Sequence, residues 1–304
     1  MTEKKLRYFI MAAECENISK AADRLYIAQP ALSKVISGME EELGYSLFDR
    51  IGKRIVLNQN GTIFYQYARE IVNHYENMRA SLAELNHKQV RSLCVGVGAA
   101  SQLLPSLLQQ FQKTNIDEKG QIQIKASYPL DFMRDNIDLM IGSDLQKKEE
   151  AGKEYLLSEQ ILLALPKGHP LGKKKKIYLE DTLEYDYVLP SGNTCLGRIL
   201  NQFFEESTFH YPENATYTNN SYVQCELAGQ GLGISFMPEK SWVYARKLEQ
   251  IILRPLEDVT LQRNIFFQYH PNKYRNEMMK RFGGFLKLYF KELNDNKRNY
   301  LNTF

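Results

Sequence analysis

Gln29, Ser33 and Lys34 form the group of side chains in this chain best suited to reading a nucleic acid. An amide can pair with the edge of an adenine, and serine and lysine bond base edges or phosphate oxygens. Gln29 and Ser33, four residues apart, share one face of a helix, with Lys34 beside them. Leu32, Ile36, Met39 and Leu43, spaced four, three and four, supply the opposite apolar stripe. Pro30 suits a first helical turn and marks a helix start. Upstream, Ala21, Ala22 and Leu25 make a second short apolar face, and Leu6, Phe9, Ile10 and Ala13 a third. The segment Ile18–Leu47 therefore predicts two short helices joined by a tight turn, covered by a third. That arrangement leaves Gln29, Ser33 and Lys34 outward, able to enter a DNA groove. A helical hairpin in an ordinary all-α core is the rival reading, and Pro30 speaks mildly against it.

Other chemistry is sparse. Cys15, Cys94, Cys195 and Cys225 form no C-x-x-C pair and have no histidine at metal-ligand spacing, so no metal is expected. The five histidines show no triad. GVGA and GQGLG lack the G-x-G-x-x-G spacing of a dinucleotide site. KKKK at 173–176 reads as a solvated loop. No catalytic constellation and no cofactor site emerge, so an enzyme is not expected. A solute-binding protein that uses only the C-terminal part is the other rival; retention on a heparin or operator column separates the three readings.

Bulk properties bound the answer. The 304 residues suffice for two or three domains. Residues 1–60 carry nine Lys or Arg against eight Asp or Glu, a weak footprint for DNA, so placement must carry the argument. Glu40, Glu41 and Glu42 fall at the far end of the second helix, while Lys20, Arg24, Lys34, Arg50, Lys53 and Arg54 can face DNA. The longest apolar runs are too short for a membrane span, and the N-terminus lacks a signal-peptide core, which predicts a cytoplasmic chain with no membrane partner.

From Asn58 to Gln89 the pattern predicts one long helix, with a heptad seam of Phe64, Ala68, Ile71, Tyr75, Met78, Leu82 and Leu85. Such a helix needs a partner for its stripe, and self-association through residues 59–89 would supply it. After Ser92, strands alternate with helices. SLCVGVG, IQIKA, IDLMIG, ILLALP, YVLP, ATYT, LGISFMP and NIFFQYH are predicted strands. Ser101–Phe111 and Tyr274–Leu293 read as helices. This alternation predicts an α/β region with largely parallel sheets.

The stretch AADRLYIAQPALSKVISGMEEELGYSLFDR resembles the N-terminal signature of the LysR-type transcriptional regulators. The matching residues include Ala21, Ala22, Leu25, Gln29, Pro30, Leu32, Ser33, Glu40, Gly44, Phe48 and Arg50. IGKRIVLNQNG then resembles the family's wing hairpin and the start of its linker helix. Ala28 departs from the family's usual Ser or Thr cap, at a cost of about 1 kcal/mol, whereas Asn58 replaces a Thr and caps equally well. GHPL at 168–171 and AGQGLGISFMP at 228–238 resemble phrases of the effector domain.

The resemblance implies an α+β multidomain fold: a winged helix-turn-helix over 1–58, a linker and dimerisation helix over 59–89, and an effector-binding domain over 90–304. That domain would have two lobes like those of periplasmic solute-binding proteins, about 90–160 with 267–304, and about 161–266. The implied DNA contacts are Ser19, Gln29, Pro30, Ser33, Lys34, Lys53 and Arg54, with Arg50 nearer structure than DNA. Partners would be double-stranded operator DNA, a second copy of the chain (by analogy with the family assembled further as a tetramer) and RNA polymerase. Ligands of parallel α/β sheets sit beyond strand carboxyl ends, on helix N-termini. Ala100, Ser101, Gln102, Ser143, Asn193, Thr194, Asn219 and Ser221 lie at such ends and match positions that line the family's effector site, though each could simply cap a helix. With few cations among them, a small anionic or polar metabolite is expected. The family normally carries a full helix between IQIKA and IDLMIG. Only SYPLDFMRDN remains here, which weakens Ser127 and Tyr128 as ligands. Cys195 sits where peroxide-sensing relatives place a reactive thiol, and reads better as a buried thiol at a helix start.

Overall fold

The computed structural model describes residues 1–52, 54–85, 92–114, 121–126, 132, 137–206, 212 and 214–295. Lys53, Ser127, Tyr128 and His87 lie outside the described residues. The chain divides into two compact units, Met1–Gln89 with Asn272–Asn276, and Val90–Pro271 with Glu277–Phe304.

In the first unit, α1 (Glu3–Cys15), α2 (Ile18–Arg24) and α3 (Gln29–Leu43) precede a two-stranded hairpin, β1 (Phe48–Ile51) with β2 (Arg54–Leu57), and the long α4 (Gln59–Leu85). Thr2 caps α1 and Asn17 caps α2 through their side chains. Leu6, Phe9, Ala12, Ala21, Ala22, Leu32, Ile36 and Met39 make one buried core, so the apolar faces read from sequence do converge. Phe9 packs edge-on against Phe64 of α4, ring centroids 4.8 Å apart. Asn58 caps α4, its Oδ1 accepting the Gly61 N–H at 2.9 Å. The seam expected on α4 needs a correction at its start. Ala68 and Val72 are buried and Phe64 is half-buried within the unit's own core, so Phe64 and Ala68 are not outward. The exposed stripe runs instead through Ile63, Tyr67, Ile71, Tyr75, Met78, Leu82 and Leu85.

The second unit is built on one curled, mixed sheet. Its elements are β3 (Ser92–Val97), a 3-10 turn at Ser101–Leu103, α5 (Leu104–Thr114), β4 (Gln121–Ala126), β5 (Leu139–Asp144), β6 (Lys153–Pro166), β7 (Tyr187–Pro190), α6 (Cys195–Glu206), β8 (Ala215–Thr218), α7 (Ser221–Gly229), β9 (Ile234–Pro238), α8 (Val243–Lys247), β10 (Ile251–Arg254), β11 (Gln262–Tyr269) and α9 (Glu277–Asp295). The strand order is β4-β3-β5-β11-β6-β9-β7-β8, with β10 against β6.

Two large cores lie along this sheet, besides a small buried cluster of Cys94, Phe132, Ile137, Met140 and Cys195. Leu93, Val95, Leu107, Phe111, Leu139, Ile141, Leu157, Ile265, Phe267, Phe282 and Phe290 form the first. Ile161, Leu163, Leu165, Tyr187, Leu189, Leu196, Leu200, Ile234, Phe236 and Trp242 form the second. β6 leaves the first core after Leu157 and joins the second at Ile161. The return passes from Leu261 in the second core to Ile265 in the first, just ahead of the boundary at 267 expected from sequence.

The expected largely parallel sheet is corrected here. β3 pairs parallel with β4 and β5, and β7 with β8 and β9. All pairings of β6 and β11 are antiparallel. The cause is topological: the chain crosses between the lobes once in each direction, and the two crossing segments lie side by side. Lys153–Gln160 and Ile251–Arg254 are strands that the sequence pattern did not reveal.

Candidate nucleic-acid face and effector cleft

The face expected to meet DNA is built by the start of α3. Ala28 is its N-cap and offers no side-chain cap; Gln29 and Pro30 open the helix. Gln29, Pro30 and Lys34 are exposed, and Ser33 is half-buried. Ser19, in the first turn of α2, and Arg54, at the start of β2, are also exposed. The far end of α3 is acidic but internally engaged. Glu40 accepts the backbone N–H of Leu47 at 2.7 Å. Glu42 pairs with the N-terminal ammonium at 2.5 Å and with Lys5 at 3.2 Å, and hydrogen bonds from these two hold its carboxyl below the usual range. Two of the three acids therefore act inside the unit, away from the start of α3.

In the second unit, a cleft of about 400 Å³ opens between the two cores. Its walls come from Val97–Ser101 at and beyond the end of β3, Pro190 at the end of β7 with Thr194 just before α6, and Thr218–Tyr222 from the end of β8 into α7. Of the predicted ligands, Ala100, Ser101, Thr194, Asn219 and Ser221 line it, and Gln102, Ser143 and Asn193 do not. The Oγ atoms of Ser101 and Ser221, one from each lobe, face each other at 3.2 Å. Ala100 is buried with a left-handed φ of 56°, a conformation costly for a residue with a Cβ and typical of constrained sites.

The other positions are used structurally. The Thr194 hydroxyl donates to the Ser191 carbonyl at 2.8 Å and accepts the Gly197 N–H at 2.9 Å, which makes it a cap for α6. Gly197 is required there, since a Cβ would fall 2.1 Å from the Ser191 carbonyl oxygen. Asn220 rather than Asn219 caps α7, accepting from the Tyr222 and Val223 N–H groups. Gln102 is buried; its Oε1 accepts the Tyr244 N–H at 2.9 Å and its Nε2 donates to the Cys225 thiol at 3.7 Å. Asn193 is exposed in the turn before α6. Ser143 lines a separate recess of about 180 Å³ with Asp144, Cys195 and Arg198, where its buried Oγ has no hydrogen-bond partner.

Trp242 and Arg263, like Leu196, Tyr222 and Gln224, are lining residues that escaped the reading of strand ends. Arg263 lies at the polar start of β11, between Gln262 and Asn264 and just ahead of the strand expected from Asn264, so the sequence offered no signal for it. Its side chain is 2 % exposed; Nε donates to Glu159 Oε1 at 2.8 Å and Nη2 to Ser241 Oγ at 2.7 Å. Glu159 also accepts the N–H groups of Lys240 and Ser241. The cleft's buried cation is thus already matched by an anion, and hydroxyls and amides supply its remaining polarity. Burial pushes the Cys195 thiol up, partly countered by the Ser143 N–H and by Arg263 and Arg198. Burial likewise raises Cys225, to about 11. Among the described residues no group of histidine, cysteine or carboxylate side chains could hold a metal, and no helix is long and apolar enough to cross a membrane.

Comparison with known proteins agrees with this organisation. Residues 4–62 match the family model for bacterial regulatory helix-turn-helix proteins of the lysR family. Residues 87–291 match the LysR substrate binding domain. The chain is 24% identical over 295 residues to a probable RuBisCO transcriptional regulator of Phaeodactylum tricornutum, covering 94% of this chain and 96% of that one. Among solved structures, a full-length OxyR variant from Pseudomonas aeruginosa superposes with a TM-score of 0.65 at 20% identity, covering 95% of each chain. Full-length CbnR complexed with its target DNA has a TM-score of 0.58 at 20% identity, covering 95% of this chain and 99% of that one. A helix-turn-helix unit followed by a two-core substrate-binding domain, each matched by its own model, places this chain in the LysR family of transcriptional regulators.

Proposed function

We propose that this regulator acts in the cytoplasm as a self-associated assembly, paired through the exposed stripe of α4, and reads a specific operator with the start of α3. Gln29, Ser33 and Lys34 make hydrogen bonds in the groove and Pro30 an apolar contact. Ser19, Arg54 and Lys53 hold the backbone or the minor groove. Two copies present two reading helices to two half-sites, and four copies and RNA polymerase extend the same scheme.

The effector in this reading is a small polar or anionic metabolite that closes the cleft. Closure turns the paired DNA-binding heads and changes how they bend DNA. The facing hydroxyls of Ser101 and Ser221 carry this reading. Each sits at a helical start on a different lobe, so a ligand that bonds both is a ligand that ties the lobes together.

Two experiments test the two halves. Gln29→Ala should cost about 1–3 kcal/mol in binding to the operator and nothing on random duplex, since an amide on a base edge is a sequence-reading contact. A gel-shift titration against the chain's own upstream intergenic DNA, with random competitor, measures this; equal loss on both duplexes would contradict base reading by Gln29.

For the cleft, Trp242 is a built-in reporter, being the sole tryptophan and part of the lining. A panel of small carboxylates, phosphates and polyols should include a compound that shifts its fluorescence. Combining Ser101→Ala with Ser221→Ala should weaken that compound by about 2 kcal/mol, roughly thirtyfold, from two lost hydroxyl bonds. Unchanged affinity in the double variant would remove the two serines from the site.

A further inference from the structure

The turn between α2 and α3 holds a residue that its own unit does not explain. The chain leaves α2 through paired backbone bonds, Ile27 N–H to the Ala22 carbonyl at 3.0 Å and Tyr26 N–H to the Asp23 carbonyl at 3.2 Å. That double closure puts its central residue in the left-handed region, where glycine is the usual occupant because a Cβ crowds the neighbouring carbonyl. Here the occupant is Tyr26, with φ 54°. The residue is 95% exposed, the highest value among the exposed large hydrophobic residues described. Burial within the unit therefore does nothing to offset the strained backbone.

The surroundings indicate what the ring is held out for. Tyr26 comes three residues before Gln29, in the connection that leads into α3. Lys20 and Arg24 on α2 and Lys34 on α3 are exposed, against one exposed acid on α2, Asp23, which leaves a net positive charge suited to a polyanion. We propose that the Tyr26 hydroxyl donates to a backbone phosphate of the double-stranded DNA bound by α3, with the ring against the adjoining deoxyribose. This is a positioning contact: it sets the docking of α3 and is blind to base sequence. It rests on the reading that Gln29, Pro30, Ser33 and Lys34 face DNA.

Two substitutions separate this role from a structural one, using the full chain, the upstream intergenic duplex and a random duplex, with binding followed by fluorescence anisotropy over a range of salt. Tyr26→Phe keeps the ring and removes the donor. It should weaken binding to both duplexes by about fivefold, the usual scale of one hydrogen bond, without changing the salt dependence, because no charge is lost. Tyr26→Gly removes the ring and relaxes the turn. It should raise the urea midpoint of the helical unit while weakening binding to both duplexes by about tenfold, stability and affinity moving in opposite directions.

A glycine variant that binds both duplexes like the parent would overturn the proposal. So would one that is less stable as well as weaker in binding, since that is what a structural tyrosine would produce. Gln29→Ala in the same assay tells the two failures apart. Parental operator binding by Gln29→Ala sinks the underlying reading and the tyrosine contact with it. Operator-selective loss in Gln29→Ala, with both Tyr26 variants at parental affinity, sinks the tyrosine contact alone.

Discussion

A chain carrying Met78→Glu should run as a monomer in size-exclusion chromatography and bind an operator duplex about a hundredfold more weakly than its parent, the scale on which linked binding exceeds single-site binding. The argument starts from α4, which is 27 residues long and so about 40 Å. A helix of that length is not held by propensity; its buried apolar stripe ends with Ala68 and Val72, and farther on it is tied to its own unit by polar contacts, Glu76 to Arg7 and Asn77 to Asn272 and Tyr274. On the outer face, Ile71, Met78 and Leu85 recur every seven residues and are 53%, 50% and 75% exposed. Tyr75 and Leu82 fall between them at the complementary seam positions. A twofold pair carries every substitution in both copies, so this one change places two carboxylates in an apolar seam. Met78→Leu is the control and should keep both assembly and binding. A parent chain that is itself monomeric at operator-binding concentrations would end this account of α4.

Removing Arg263 should be the most damaging single change in the second unit. Arg263→Ala leaves the Glu159 carboxylate buried without its cation, a loss of about 3–5 kcal/mol for a broken buried pair. Glu159 and Arg263 are register partners on β6 and β11, so the damage falls on the two strands that join the lobes. Urea unfolding followed by Trp242 fluorescence reads that region directly. Adding Glu159→Gln to Arg263→Met should recover much of the loss, because an amide oxygen still accepts from Ser241 and no charge is stranded. A single variant that unfolds within about 1 kcal/mol of the parent would contradict this account, because a stranded buried carboxylate costs more than that.

The helical unit was legible in the sequence because its signals are local. Leu32, Ile36 and Met39 repeat at helical spacing, and Pro30 marks the start of the helix they belong to. The error in α4 has a physical origin. Phe64 and Ala68 fit the same repeat as Ile71 and Met78, and periodicity cannot tell a stripe facing the same chain from one facing a second copy.

In the second unit, strands that are buried throughout, such as Tyr187–Pro190 and Ile234–Pro238, stood out by composition. The outer part of β6 did not, since Lys153, Glu154, Glu159 and Gln160 interrupt its apolar residues. Strand ends pointed to the cleft through Ala100, Ser101, Thr194, Asn219 and Ser221. At Asn193, Gln102 and Ser143 the strand ends lead outside the cleft lining, because a polar residue there can as well serve a turn, a buried bond or another recess. Arg263 reaches the cleft from the start of β11, which a rule of strand carboxyl ends does not sample. Trp242 follows the end of β9 at the start of α8, a place of the sampled kind, and is passed over where only hydroxyl and amide residues are weighed.

The two crossings between the cores also set an order of events during synthesis. All residues of the second core, from Ile161 to Leu261, are contiguous in the chain, so this lobe can close as soon as its last strand leaves the ribosome. The first core cannot. Leu93, Val95 and Ile141 emerge early, yet their partners Ile265, Phe267, Phe282 and Phe290 are made last. β5 must wait for β11, more than a hundred residues later, before its second edge is paired. The lobe that begins first in the chain is therefore the last to fold. In the interval β5 presents an unpaired, apolar strand edge, which is the kind of surface that holdase chaperones bind and that drives aggregation when translation outpaces them.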